Sequence, residues 1–193
     1  YEDYIGCPLA FIPAPQEDGR PGDGGVTYAD YFLNPFLDAL EQIGVSPEVV
    51  MNHETYDKGL FADYIDSAIR NRDEIRGIIQ QISGRDLPSE WFPYNPMGSN
   101  GSMDGVAVTG YEKPYVQWRD SSGNEGRSDI RKADGKMPWR IDWAARWVIH
   151  GITCEPAGKD HGAAGGSYDT GIPICSLLGG NPPDKIVYEW IQL

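Results

Sequence analysis

The stretch from residue 152 to the end of the chain constrains the fold most. "ITCEPAG" reads as a buried strand, "GGSYDTGIPICSLLGG" as a helix beginning near Gly166, and "KIVYEWIQL" as a final strand. A strand, a helix and a second strand at this spacing make a βαβ unit. Its two strands run parallel, so the predicted fold is α/β around a parallel sheet. Ligands of such sheets sit beyond the carboxyl ends of the strands. That rule puts "AGKDHGAAGGS", residues 157–167, at the mouth of a crevice.

Two readings of this loop stay open at this point. In the functional one, Gly158 lets a ligand approach the backbone, while Asp160 and His161 hydrogen-bond sugar hydroxyls, phosphate or a polar substrate. Gly165, Gly166 and Ser167 then expose backbone N–H groups at a helix start, which favours anions. In the plainer one, the stretch is an ordinary charged βα loop before a capped helix, because its glycines match no phosphate-loop fingerprint.

"MPWRIDWAARW" places tryptophans at 139, 143 and 147. A spacing of four stacks them on one helical face. The helix "DWAARWVIHG" is predicted to close at Gly151, with Asp142 as its N-cap. Trp143 and Trp147 read as packing residues, whereas Trp139 follows Pro138 and stands before the helix. An aromatic wall beside the Asp142 carboxylate suits a flat base or a cationic aliphatic chain. His53 and His150 are isolated and read as ordinary polar residues; His161 is the histidine inside a candidate site. With no G-x-S-x-G, no H-E-x-x-H and no paired cysteines, hydrolase and zinc chemistries lose ground.

Upstream, "VTYADYFLNPFLDALEQIGV" spaces Tyr28, Tyr31, Phe32, Phe36, Leu37, Leu40 and Ile43 along one helical face, with Pro35 as a kink or break. "SPEVVMNHE" reads as a short buried strand. Leu60, Ile65, Ala68, Ile69, Ile75, Ile78, Ile79 and Ile82 predict one long helix over 60–82 that Ser83-Gly84 closes. Residues 85–136 alternate short apolar runs with Gly, Asn, Ser and Pro turns, an antiparallel β pattern. The predicted organisation is therefore 1–84 helical and α/β, 85–136 an inserted small β unit, and 137–193 the βαβ part.

The net charge of -13 argues against broad capture of nucleic acid by a basic surface. Cys7, Cys154 and Cys175 are an odd, scattered set, which fits a reducing, cytoplasmic setting. No apolar run approaches the roughly 20 residues of a membrane span. The chain opens on "YEDYIGCPLAFIPAP" without an initiator Met and stops on a strand pattern, as expected of a piece of a longer chain.

The block "MPWRIDWAARWVIHGITCEPAGKDHGAAGGSYDTG" closely resembles the W-R-x-D-W…R-W…E-P-x-G-K-D-H…G-S-Y-D-T-G block of class I lysyl-tRNA synthetases, the type found mainly in archaea and some bacteria. More weakly, the likeness extends to "YEDYIGCPLAFIPAP", "TYADYF" and "KIVYEWIQL". It implies a Rossmann-type catalytic domain interrupted by an insertion. It also implies that L-lysine is activated with ATP to lysyl-adenylate and passed to tRNA(Lys), with Mg2+ expected in the full enzyme. The family's H-I-G-H-like and K-M-S-K-S-like signatures are absent; they are expected before Tyr1 and after Leu193, which implies an internal part of the catalytic domain, inactive alone. Trp139, His161 and Tyr188 match lysine-pocket positions. Gly158, Asp160, Gly165, Gly166 and Ser167 match the ATP side, and Asp142 is added as a carboxylate for the lysine ammonium. Archaeal relatives often carry a zinc-ribbon-like Cys and His set in the insertion; "YNPMGSNG" and "RDSSGNEG" supply none, so no zinc is expected. The alternative is a stand-alone nucleotide- or tRNA-binding module without ligase activity.

Overall fold

The computed structural model describes residues 1–190; the last part of the expected closing strand, residues 191–193, lies outside them. Two 3-10 turns, Glu2–Tyr4 and Leu9–Phe11, lead to α1 (Tyr28–Gln42). Thr27 caps α1: its hydroxyl oxygen accepts the Asp30 N–H at 3.1 Å and its hydroxyl donates to the Asp30 carboxylate at 2.7 Å. The helix runs through Pro35 and buries no residue. The face expected to be apolar is there, but Tyr31, Phe32, Phe36 and Ile43 on it remain exposed.

Residues 46–51 form no strand. Val49 and Val50 are exposed, and the chain passes directly into α2 (Asn52–Asp57). A run of this kind becomes a strand only beside a partner that covers it, and here none does. The long helix expected over 60–82 is two, α3 (Ala62–Arg70) and α4 (Arg72–Ser83). Asn71 leaves the helical region at φ -102° and ψ 23°, and its side-chain amide donates to the Ser67 carbonyl at 2.9 Å. Short polar side chains of this type compete with the helical backbone. The apolar stripe crosses the break intact, with Ile65, Ala68, Ile75 and Ile79 all buried, although Leu60 is exposed. Gly84 closes α4 in the left-handed region at φ 65°.

The next segment begins with β1 (Asn95–Pro96). An antiparallel sheet of β2 (Ala107–Glu112), β3 (Tyr115–Arg119) and β4 (Glu125–Asp129) follows, in the order β2-β3-β4. A register shift between Val108 and Gly110 marks a bulge in β2. Gly126 in β4 is opposite Trp118; a β-carbon there would lie 2.4 Å from the indole, so the missing side chain is what lets Trp118 lie down. At the end of the segment β5 (Gly135–Lys136) pairs with β1. Asp66 of α3 ties the sheet to the helices, accepting from the Tyr111 hydroxyl at 2.7 Å, Arg70 at 3.1 Å and Lys113 at 3.2 Å.

Helix α5 (Trp139–His150) starts earlier than expected, directly after Pro138, and ends on Gly151 at φ 60°. Asp142 is therefore inside its first turn and is not its N-cap. The chain then forms β6 (Cys154–Gly158), the short α6 (Lys159–Gly162), α7 (Ser167–Leu177) and β7 (Asp184–Tyr188). Strands β6 and β7 pair in parallel from Cys154↔Asp184 to Gly158↔Tyr188. The parallel βαβ unit is thus present, but among the described residues the parallel sheet stops at two strands. Among the described residues the partial Rossmann-type sheet that the resemblance implies is represented by this pair alone, and the run at 46–54 that reads as a further strand is coil and helix. The architecture is α/β with one parallel pair and small antiparallel sheets. Its core gathers Phe61, Ile65, Ile75, Ile141, Trp147 and Ile174, with Val116 and Ile130 from the antiparallel segment.

Candidate functional site

Because β6 and β7 are parallel and in register to their last residues, Gly158 and Tyr188 end side by side at the carboxyl edge of the pair. Asp160 and His161 follow immediately on α6. A β-carbon on Gly158 would meet Asp160 Oδ1 at 2.8 Å and the Tyr188 ring at 3.8 Å. The missing side chain at Gly158 is what lets Asp160 and Tyr188 come this close to the backbone. The Asp160 carboxylate lies 3.4 Å from His161 Nε2, both side chains being 44% exposed.

The first turn of α5 meets this edge. Trp139 and His161 are edge to face with centroids 5.1 Å apart; Trp139 stacks on Trp143 at 5.1 Å and 29°, and Trp143 is 6.1 Å from His161. Exposure falls along the stripe from 40% at Trp139 through 7% at Trp143 to 1% at Trp147. Trp147 packs against Tyr168 at 5.4 Å, and its indole N–H donates to Glu155 at 2.7 Å. The stripe thus changes role along its length: Trp147 is core, and Trp139 presents a ring to solvent beside an imidazole.

The residues before α7 differ from the expectation. Gly165 adopts φ 76°, as only glycine does readily, and its N–H donates to Asp169 at 2.9 Å; the Gly166 N–H donates to the Ala163 carbonyl at 2.8 Å. These two N–H groups close the loop on itself, so they are not aimed at an anion. Ser167, expected beside them, is buried at the start of α7. Gly166 has a packing reason as well: a β-carbon would lie 2.4 Å from the His161 carbonyl oxygen. Lys185 of β7, which the sequence reading did not single out, straps the same loop, donating to the Gly162 carbonyl at 2.8 Å and to Asp169 at 3.3 Å.

Asp142 also differs from its expected role. It is 4% exposed and accepts from the Tyr56 hydroxyl at 2.6 Å and from Asn52 Nδ2 at 3.3 and 3.4 Å. Arg146 Nε lies 2.8 Å from Asp142 Oδ1, but its N–H is not aimed for a hydrogen bond, so that contact is an ion pair. Burial holds the Tyr56 phenol well above the ordinary tyrosine range, and the Asp142 charge adds to this. A carboxylate so enclosed presents no free oxygen to an incoming ammonium. Tyr56, Asn52 and Arg146 escaped the sequence reading, since pairing across the chain leaves no local spacing to read.

The nearby carboxylates already have partners within the chain. Asp160 is beside His161 and Asp169 is engaged by Gly165 and Lys185; among the described residues no group of three His, Cys, Asp or Glu side chains is placed to hold a metal.

Fold and site together describe an α/β protein in which aromatic rings line the carboxyl ends of a parallel strand pair. The whole of residues 1–193 matches the family model described as "tRNA synthetases class I (K)", and the chain belongs to that family. It is 43% identical over 195 residues to the lysine–tRNA ligase of Picrophilus torridus, and 41% identical to those of Thermoplasma volcanium and Archaeoglobus fulgidus. Each alignment covers all of this chain but only 37% or 38% of the relative. The chain thus spans little more than a third of the proteins it matches.

Proposed function

We propose that this chain is the lysine-recognising part of a class I lysine–tRNA ligase. In the intact enzyme the carboxylate of L-lysine attacks the α-phosphate of ATP, giving lysyl-adenylate and pyrophosphate. A 3′-terminal hydroxyl of tRNA(Lys) then attacks the carbonyl and releases AMP. The observation that carries the reading is the Trp139–His161 pair, 5.1 Å apart at the carboxyl edge of the β6–β7 pair. That is where ligands of parallel sheets bind.

Trp139 offers its ring face to the aliphatic stem and ammonium of lysine, an arrangement in which the π-face attracts a cation. His161 and Tyr188 complete the lysine side, and Gly158 and Asp160 form the rim toward the ATP ribose. The loop of Gly165, Gly166 and Ser167 supports that rim through its internal bonds. Mg2+ would neutralise the charge of the ATP phosphates. In the same reading the β6–β7 pair belongs to a larger Rossmann-type sheet, and both strands of the pair still have residues open to solvent. Residues 85–136 are an insertion between 1–84 and 137–193, and the β1–β5 pairing at its base supports those limits. The three cysteines are free thiols, in keeping with a cytoplasmic setting.

Lysine-dependent ATP–pyrophosphate exchange tests the proposal. The intact ligase is expected to catalyse it, and the purified 193-residue chain to stay at background, because the missing signatures supply contacts to the phosphates that are worth several kcal/mol each. Exchange well above background by the short chain would overturn this division of labour, and an intact protein inert toward lysine would overturn the substrate.

A further inference from the structure

The network around Asp142 reaches past its own helix. The Tyr56 hydroxyl donates to the Asp142 carboxylate at 2.6 Å and at the same time accepts the Met137 N–H at 3.0 Å. Met137 leads into α5 from β5, and Asp142 is in the first turn of α5. One phenol oxygen therefore grips the helix start from both sides, with Trp139 between the two points it holds. Tyr56 is itself firmly seated: it is 3% exposed, and its ring stacks on Phe61 with centroids 3.9 Å apart and planes 7° from parallel. Asn52, from the same helix α2, and Arg146, one turn further along α5, complete the coordination of the carboxylate.

Pro138 precedes α5 and supplies its first carbonyl acceptor, taking the Ile141 N–H at 2.9 Å and the Asp142 N–H at 3.0 Å, while no side chain caps this end of the helix. The Tyr56–Asp142 bond ties this first turn to α2 through a side chain instead. Trp139, 40% exposed, rests on Trp143 and meets His161 edge to face, so where the backbone of the helix start stands decides whether its ring reaches the imidazole.

We infer that Asp142 is a positioning residue: with Tyr56 it clamps the start of α5 so that Trp139 is held against His161 in the geometry that lysine needs. Asp142 does not itself touch lysine. The inference rests on the proposed assignment of Trp139 and His161 to the lysine pocket, and it extends the functional unit to α2, which carries no pocket residue.

The test is a double-mutant cycle in the intact ligase with Tyr56→Phe, Asp142→Asn and the pair together, measuring lysine KM, ATP KM, kcat and melting temperature for each. Tyr56→Phe keeps the ring and its stacking but removes both bonds. Each single variant is expected to raise lysine KM about tenfold, below the roughly hundredfold that a 1 Å misplacement of a binding group can cost. ATP KM should stay within about twofold, and the double variant should be little worse than the worse single, because residues acting as a unit are not additive. A tenfold rise for Asp142→Asn beside an unchanged lysine KM for Tyr56→Phe would make Asp142 a direct ligand and overturn the inference. A lower melting temperature with unchanged lysine KM in both would reduce the network to a stabilising one, which overturns it equally. Where Asp142→Asn does not fold, Tyr56→Phe decides alone by its lysine KM. A His161→Ala arm separates the two claims: unchanged lysine KM there removes the pocket assignment itself.

Discussion

Gly158 and Tyr188 are register partners at the last position of two parallel strands, and the Tyr188 ring lies 3.8 Å from where a Gly158 β-carbon would stand. Gly158→Ala would also meet Asp160 Oδ1 at 2.8 Å, the movable end of a side chain. The carboxylate can swing away, so the expected loss of stability is under about 1 kcal/mol, with a several-fold rise in ATP KM as Asp160 leaves the rim. Gly166→Ala is different, because its β-carbon would lie 2.4 Å from the His161 backbone carbonyl oxygen. Backbone does not yield so cheaply, and a loss of about 2 kcal/mol or more is expected. Denaturant unfolding of the two variants side by side checks this ranking; equal losses would contradict it.

The tryptophan stripe gives a second contrast. Trp147 is 1% exposed and donates to Glu155 at 2.7 Å. Trp147→Phe is expected to destabilise the fold by about 1–3 kcal/mol, from a lost buried hydrogen bond and a partial cavity. Trp139→Ala removes a ring that is 40% exposed and should leave the melting temperature within a few degrees while raising lysine KM. Thermal unfolding together with exchange kinetics separates them, and a Trp139→Ala protein that melts far below the parent would make this residue core after all.

Asp120 shows how the insertion organises its turn. The Ser99 hydroxyl at 2.7 Å, the Asn124 side-chain amide at 3.0 Å and the N–H groups of Asn124 and Ser122 lower the carboxyl pKa to about 2. A depressed folded-state pKa contributes stability above the unfolded value of about 3.9, and this is lost as pH falls toward about 2. In an NMR titration the Asp120 side-chain carbonyl should move in that lower window; an ordinary midpoint near 4 would remove the turn-organising role.

Metal removal is expected to change nothing in the insertion. Elemental analysis should find less than one zinc per chain, and a chelator should leave the melting temperature where it was. One tightly held zinc, or a melting temperature that drops with chelator, would contradict this.

The features legible in the sequence are those with a local cause. Gly84 and Gly151 close their helices because only glycine readily takes the left-handed conformation there. The βαβ unit showed in its change of periodicity, and the antiparallel hairpins in their turn residues. Asn71 breaks a helix without disturbing the apolar spacing, since the stripe resumes on the same face, so periodicity carries no trace of the break. The valines at 49 and 50 have the composition of a strand, but a strand is a relation to a neighbour and the neighbour is missing. Asp142 was misread for a related reason. Its acid and aromatic neighbours in sequence pointed to a ligand, whereas its partners Asn52 and Tyr56 come from a helix far earlier in the chain.

Replacing His161 by Ala in the intact ligase tests the central assignment most directly. His161 is nearly half exposed at a sheet edge, so the change opens no core cavity, and removes an imidazole that meets Trp139 at 5.1 Å. Lysine KM in ATP–pyrophosphate exchange is expected to rise at least about tenfold, a loss on the order of 1.4 kcal/mol of binding. The melting temperature should stay within a few degrees of the parent. An unchanged lysine KM, whatever the stability, would contradict a lysine pocket at Trp139 and His161.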